Sequence, residues 1–197
     1  NRLGIVGIAP EASLRIYKAC WQREGGGARC NSFTLALALA ASVEDGAQVI
    51  NLSLGGPADE LLAQLVKHAI AQGRIVVGAV PVDGSLDGFP LGVAGVIAVD
   101  SIGGPRRSGV LNAPGRDILT LAPGGHYDFG SGSSLAAAHV SGVVALLLAA
   151  HDAPRPAAVH ALLESSRRRA EGSGSVSACG ALAALRRAAD CNSVAVR

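Results

Sequence analysis

Two serines stand at a glycine-flanked turn ahead of an apolar segment: Gly130-Ser131-Gly132-Ser133-Ser134-Leu135-Ala136-Ala137-Ala138-His139-Val140-Ser141-Gly142. Glycine permits a tight turn where side chains would clash. A serine there, at the mouth of a helix, can point its hydroxyl outward. The first backbone N–H groups of that helix lack partners within it and point at the same place. A hydroxyl beside such donors is an arrangement for nucleophilic attack on a carbonyl next to an anion-stabilising corner. The same residues also make an ordinary helix start, because serine is a favoured N-cap. Gly-Ser-Ser alone does not separate the two readings. The groups able to move a proton near neutral pH are His68, His126, His139, His151 and His160. His139 follows Ser134 on the same segment and reads as a packed helix residue. His126 lies in the loop before the turn, where it could approach a cleft.

An alternation of strands and helices must position these groups. Asn1 to Ile8 is apolar and glycine-punctuated, and Ala9-Pro10-Glu11-Ala12 reads as a turn. The spacing of Leu14, Ile16, Tyr17 and Ala19 predicts a strand over Ser13 to Ala19. Asn31 or Ser32 caps a helix that runs to about Glu44. Ala47 to Leu54 is a short buried strand closed by Gly55-Gly56-Pro57. Ala58 to Gln72 is an amphipathic helix, with Leu61, Leu62, Leu65, Val66, Ala69 and Ile70 at helical spacing. Arg74 to Val80 and Val93 to Asp100 are further buried strands, separated by the loop Pro81 to Pro90. Ser101 to Asn112 reads as a polar loop and Asp117 to Ala122 as a strand. Beyond Ser134 comes a long central helix, then helices over Pro154 to Ser166 and Cys179 to Ala189. This order predicts an α/β fold whose parallel sheet is covered on both faces.

Composition narrows the function classes. The chain has 197 residues, enough for one domain, 1–197, with a sizeable core. Its residues are 49% hydrophobic and only 3% aromatic, so alanine, leucine, valine and glycine carry the packing. The net charge is +2. The longest basic run, Arg167-Arg168-Arg169, has no interleaved aromatics on which bases could stack, so no nucleic-acid partner is expected. No apolar run is long enough to span a membrane; Val143 to Ala150, the most hydrophobic segment, is too short. The cysteines form no C-x-x-C pair, which argues against zinc. They fall into local pairs, Cys20 with Cys30 and Cys179 with Cys191. These are either two disulfides in an oxidising compartment or four reduced thiols. Asp83, Asp87, Asp100 and Asp128 are isolated, so no metal and no cofactor are expected. The chain contains no methionine and no signal peptide, and is therefore expected to be processed, cleaved or a fragment.

The full string from Gly132 to Gly142 closely resembles the nucleophile segment of subtilisin-like serine proteases, Gly-Thr-Ser-Met-Ala-x-Pro-His-Val-x-Gly. Ser133 stands where Thr is usual, Leu135 for Met and Ala138 for Pro. The resemblance continues in order along the chain. Gly4 to Leu14 is similar to the family's Gly-Val-Ala-Pro-x-Ala segment. Val49-Ile50-Asn51-Leu52-Ser53-Leu54-Gly55 is similar to Val-Ile-Asn-x-Ser-Leu-Gly. Gly95 to Val99 is similar to a Val-Ile-x-Val strand, and Leu121 to Gly125 to the Ala-Pro-Gly turn. It implies a subtilisin-like three-layer α/β/α fold with a mostly parallel sheet, truncated at the N-terminus. It implies that Ser134 is the nucleophile, and that Ser53, Leu54, Gly55, Gly78, Ala79, Val80 and Ser133 line the site of an extended peptide or protein substrate. His139 matches the family's structural histidine.

In this family the triad runs Asp, His, Ser. The family's Asp-Thr-Gly and His-Gly-Thr motifs precede the segment that begins here at Asn1, and neither occurs in the chain. The catalytic Asp and His are therefore expected on an N-terminal segment of the same protein. The family's oxyanion Asn sits in Ala-Ala-Gly-Asn-x-Gly; the matching stretch is Ala79-Val80-Pro81-Val82-Asp83-Gly84, with Val82 at the Asn position. A one-residue shift would bring Asp83 there, and the Ser134 backbone N–H and Ser133 hydroxyl are further oxyanion candidates. The implied activity is that of a secreted or periplasmic serine endopeptidase. The alternatives are a non-catalytic module that binds an extended peptide or partner, and a hydrolase acting on esters through the same serine.

Overall fold

Two cysteines ten residues apart fold the first part of the chain back on itself. In the computed structural model, which describes residues 4–24, 27–122, 124–150, 154–167 and 174–186, strands β1 (Cys20–Gln22) and β2 (Ala28–Cys30) pair antiparallel. Cys20 lies opposite Cys30, and a disulfide joins them. Cys179 is also disulfide-bonded; Cys191 falls outside the described residues. The expected strand over Ser13 to Ala19 does not form: among the described residues no strand pairs with it, and Leu14 and Ile16 remain 83% and 90% exposed. Strand pairing begins only at Cys20.

The helix α1 (Ser32–Glu44) starts where Asn31 accepts the Thr34 N–H at 2.8 Å, so Asn31 rather than Ser32 is the cap. The strand β3 (Val49–Leu52) follows. In α2 (Glu60–Ala71) Asp59 caps the Leu62 N–H at 3.0 Å. The strands β4 (Ile75–Ala79), β5 (Ile97–Ser101) and β6 (Val110–Ala113) complete a four-stranded parallel sheet in the order β3-β4-β5-β6. β6 occupies the end of what reads in sequence as a polar loop. Its four residues are all buried, so they show no polar alternation to mark a strand. An antiparallel hairpin, β7 (Ile118–Ala122) and β8 (His126–Gly130), then leads into α3 (Ser133–Ala149). The chain continues through α4 (Pro156–Ser165) and α5 (Ala178–Leu185). The expected third helix over Cys179 to Ala189 therefore ends at Leu185, and residues beyond 186 fall outside the described set.

Alternation along the strands divides the core in two. Ile75, Val77 and Ala79 of β4 face one side, where they pack with Ile97, Val99, Leu111 and Ala113 against α3, α4 and α5. Val76 faces the other side, with Ile50 and Leu52, against α1 and α2. Side chains two apart share a face and neighbours oppose, so a strand buried on both sides feeds both layers. This is the three-layer α/β/α arrangement with a parallel sheet. No helix of the described residues is long and apolar enough to cross a membrane.

The central helix α3 carries a long buried apolar face. Ala136, Ala137, Val140, Val143, Val144 and Leu147 are all fully buried. Leu147→Ala should lower unfolding free energy by about 2–5 kcal/mol, because the emptied space cannot fully collapse; chemical denaturation measures it. His139, half-buried on the same helix, has its pKa lowered from 6.5 by burial. Below about pH 6.5 the unfolded chain takes up a proton that the folded one resists, so stability falls as pH drops through that window and is unaffected above it. Asp45, Asp59 and Asp83 have pKa values lowered from 3.8 and act only at still lower pH. The melting temperature should therefore decline between pH 7 and pH 5, and His139→Asn should flatten that part of the curve.

Candidate active site

The turn before α3 is held from two directions. Gly132 donates its N–H to the Gly115 carbonyl at 2.7 Å, and its own carbonyl accepts from Leu135 N at 3.1 Å to begin the helix. Any side chain at Gly115 would run into Ser101 Oγ, the Gly132 carbonyl and Ala136 Cβ, so only glycine allows this approach. Ser133 Oγ donates to the Val80 carbonyl at 2.5 Å, which ties the turn to the end of β4. The Val80 N–H in turn donates to Val99 O at 2.8 Å.

Ser134 is exposed at this turn, beside the carboxyl ends of β3 and β4. That end of an open α/β sheet is where such folds bind ligands. Its carbonyl accepts from Ser53 Oγ at 3.2 Å. Ser53 Oγ accepts from Asn51 Nδ2 at 2.9 Å, and Asn51 Oδ1 accepts from Ser141 Oγ at 3.1 Å. This polar relay between β3 and α3 was not anticipated from sequence. A local signal exists: Ile50 and Leu52 alternate with Asn51 and Ser53, so the polar pair must share the opposite face of β3. Among the described residues, the Ser134 hydroxyl has no hydrogen-bond partner.

The other expected site residues divide by burial. Ser53 and Gly55 are exposed and Leu54 is half-buried, while Gly56 forms a two-way backbone bridge with Phe89 at 3.0 Å. Gly78, Ala79 and Val80 are instead sealed into the core. A Cβ on Gly78 would lie 2.6 Å from Leu91 Cδ2, and Val80 is only 2% exposed. Ser53 to Gly55 is thus the more open part of the expected lining.

The oxyanion candidates are also sorted. Val82 is fully exposed and its side chain donates nothing. Asp83 accepts the Ser85 N–H and hydroxyl, each at 2.9 Å, and these bonds lower its carboxyl pKa. An ionised carboxylate accepts and cannot donate. The one hydroxyl proton of Ser133 is donated to the Val80 carbonyl. The backbone N–H groups of Ser133 and Ser134, in the first turn of α3, have no intrahelical acceptor. His126 is exposed at the start of β8 and His139 is half-buried in α3. Among the described residues neither hydrogen-bonds to Ser134, and no group of three His, Cys, Asp or Glu side chains is arranged to hold a metal.

Comparisons with known proteins agree with this geometry. The profile of the subtilase family matches residues 1–181. An intracellular serine protease of Paenibacillus polymyxa is 34% identical over 163 residues, 75% of this chain and 49% of that protein. Subtilisin E of Bacillus subtilis (strain 168) is 30% identical over 181 residues, 84% of this chain and 46% of that protein. The chain thus spans about half the length of these relatives. The solved structure of the prenylagaramide maturation protease PagA superposes with a TM-score of 0.71 at 26% identity, covering 82% of this chain and 70% of that one. A serine turn at the head of a buried helix, a parallel three-layer sheet and a family match across nearly the whole sequence lead to one conclusion: the chain belongs to the subtilase family.

Proposed function

We propose that this chain is the serine-bearing part of a subtilisin-like serine endopeptidase, with Ser134 as nucleophile and the catalytic Asp and His on a preceding segment of the same protein. The carrying observation is an exposed serine with an unpartnered hydroxyl at the N-terminus of α3, where free backbone N–H groups converge. Ser134 Oγ attacks the scissile carbonyl while the histidine of the other segment takes its proton. The N–H groups at the helix start stabilise the oxyanion, and the histidine then protonates the leaving amine. Water hydrolyses the acyl-enzyme by the same route. The exposed backbone of Ser53 to Gly55 pairs with an extended peptide, main chain to main chain.

Two features support the second segment. Among the described strands β3 pairs only with β4, so its other edge is open to a further strand. Val6, Leu14, Ile16 and Phe33 are large apolar side chains left exposed, as residues awaiting a cover would be. On this reading the chain alone is catalytically incomplete. The Cys20–Cys30 disulfide supports a secreted or periplasmic setting, since such bonds persist in oxidising compartments. Val82 is the observation that favours the other reading, a non-catalytic module that binds an extended peptide or partner. Removing an oxyanion donor costs on the order of a hundred- to a thousandfold in turnover.

A fluorophosphonate probe decides between them. It should leave Ser134 unlabelled in the isolated chain and label it in the full-length parent, with labelling and peptide cleavage both abolished by Ser134→Ala. Rapid labelling of the isolated chain would refute incompleteness, and a folded parent that neither labels nor cleaves would identify a binding module. In the parent, Val82→Asn should raise kcat by on the order of a hundredfold, measured on a chromogenic peptide.

A further inference from the structure

A hollow of about 260 Å³ opens beside the serine turn, with Ser133 and Val80 in one wall. It lies on the far side of the Ser133–Val80 hydrogen bond from Ser53 to Gly55. Those residues follow β3, whereas the hollow is framed by the ends of β4 and β5 and by the segment after β6. On the protease reading, a peptide that lies along Ser53 to Gly55 and presents its carbonyl to Ser134 has this hollow on the opposite side of the serine turn. Its charged lining is Asp100, Arg107 and Arg116.

The two arginines are not equivalent. Arg107 Nη1 lies 3.5 Å from Asp100 Oδ2, its guanidinium packs over Gly84, and its charge also acts on Asp83. Two carboxylates thus answer that cation. Arg116 is exposed and has no ion pair among the described residues. It stands beside Asp117, whose N–H donates to Ser131 Oγ at 2.9 Å, so its backbone is anchored to the serine turn. An exposed guanidinium fork at the rim of a hollow suits a planar carboxylate.

We infer that the hollow is a specificity subsite for an acidic side chain on the first residue C-terminal to the scissile bond, with Arg116 as the cation that selects it. The inference rests on the protease reading for which side of the bond is cleaved away. The selection itself is electrostatic: a carboxylate meets the unmatched charge of Arg116, while a lysine at that position meets two guanidinium groups.

Binding to the 197-residue chain tests it without requiring hydrolysis. Two tripeptide amides with free amines, Asp-Ala-Leu and Asn-Ala-Leu, are titrated while backbone NMR shifts are followed. The Asp-led peptide should bind about two- to fivefold more tightly at low salt, with shifts at residues around the hollow. The preference should shrink at about 1 M salt. It should vanish in Arg116→Gln and survive in part in Arg116→Lys, both checked for an unchanged melting temperature. Equal affinities, no binding of either peptide, or a preference that persists in Arg116→Gln would overturn it. A chain that prefers the Asp-led peptide, from a parent whose Ser134 never labels, keeps the subsite and loses the protease reading. A parent that cleaves peptides from a chain with no such preference does the reverse.

Discussion

The burial of α3 sets where the rest of the structure must go. A helix whose Ala136, Ala137, Val140, Val143, Val144 and Leu147 are all removed from water needs cover along its length. β4, β5 and β6 supply it on one side and α4 and α5 on another. Alanine-rich helix faces bring the backbone close to the sheet, so the helix has little freedom to slide. Its N-terminus is therefore delivered to one spot, at the carboxyl ends of the strands. Residue chemistry at that spot inherits its precision from packing further along the helix.

Polar groups refine what packing roughly sets. Ser133 ties the helix start to β4, and Ser53 and Asn51 tie it to β3. Together they hold Ser134 by its main chain from both sides and leave its hydroxyl unengaged. The family's usual side-chain donor is absent at Val82, and the nearby substitutes Asp83 and Ser133 are engaged elsewhere. On the proposed reading, anion stabilisation at this corner would fall to the unpaired amides of the helix start, a role such termini fill in many folds.

How legible this was in the sequence depended on how local each feature is. The start of α1 at Asn31, one of two neighbouring cap candidates, and the amphipathic α2 are spelled in contiguous residues and form where the sequence puts them, although α2 begins only after its Asp59 cap rather than at Ala58. The parallel three-layer sheet followed from the strand–helix alternation. Features that need a distant partner did not show. The Ser133 hydroxyl finds Val80 across 53 positions of sequence, and nothing near Ser133 announces it. Ser13 to Ala19 has strand-like spacing but no neighbour, because a strand is a property of a pair. β6 failed in the opposite way: it is buried on both faces and so carries no alternation. Counting along the sequence gives Asp83 only a position; that its carboxylate closes its own turn through Ser85 shows in the structure alone.

With Ser134 as nucleophile, an oxyanion corner made of main chain would have a kinetic meaning. Backbone amides keep their protons across the whole range in which the protein is folded, unlike a carboxylic acid, which donates only while protonated. An anion site made of main chain is therefore equally competent in acid and in mild base. Chemistry at Ser134 would carry a single ionisation from the protein, that of whatever imidazole is brought to it. The rate profile against pH would be a simple rise to a plateau, and its midpoint would report on the segment that supplies the base rather than on this chain.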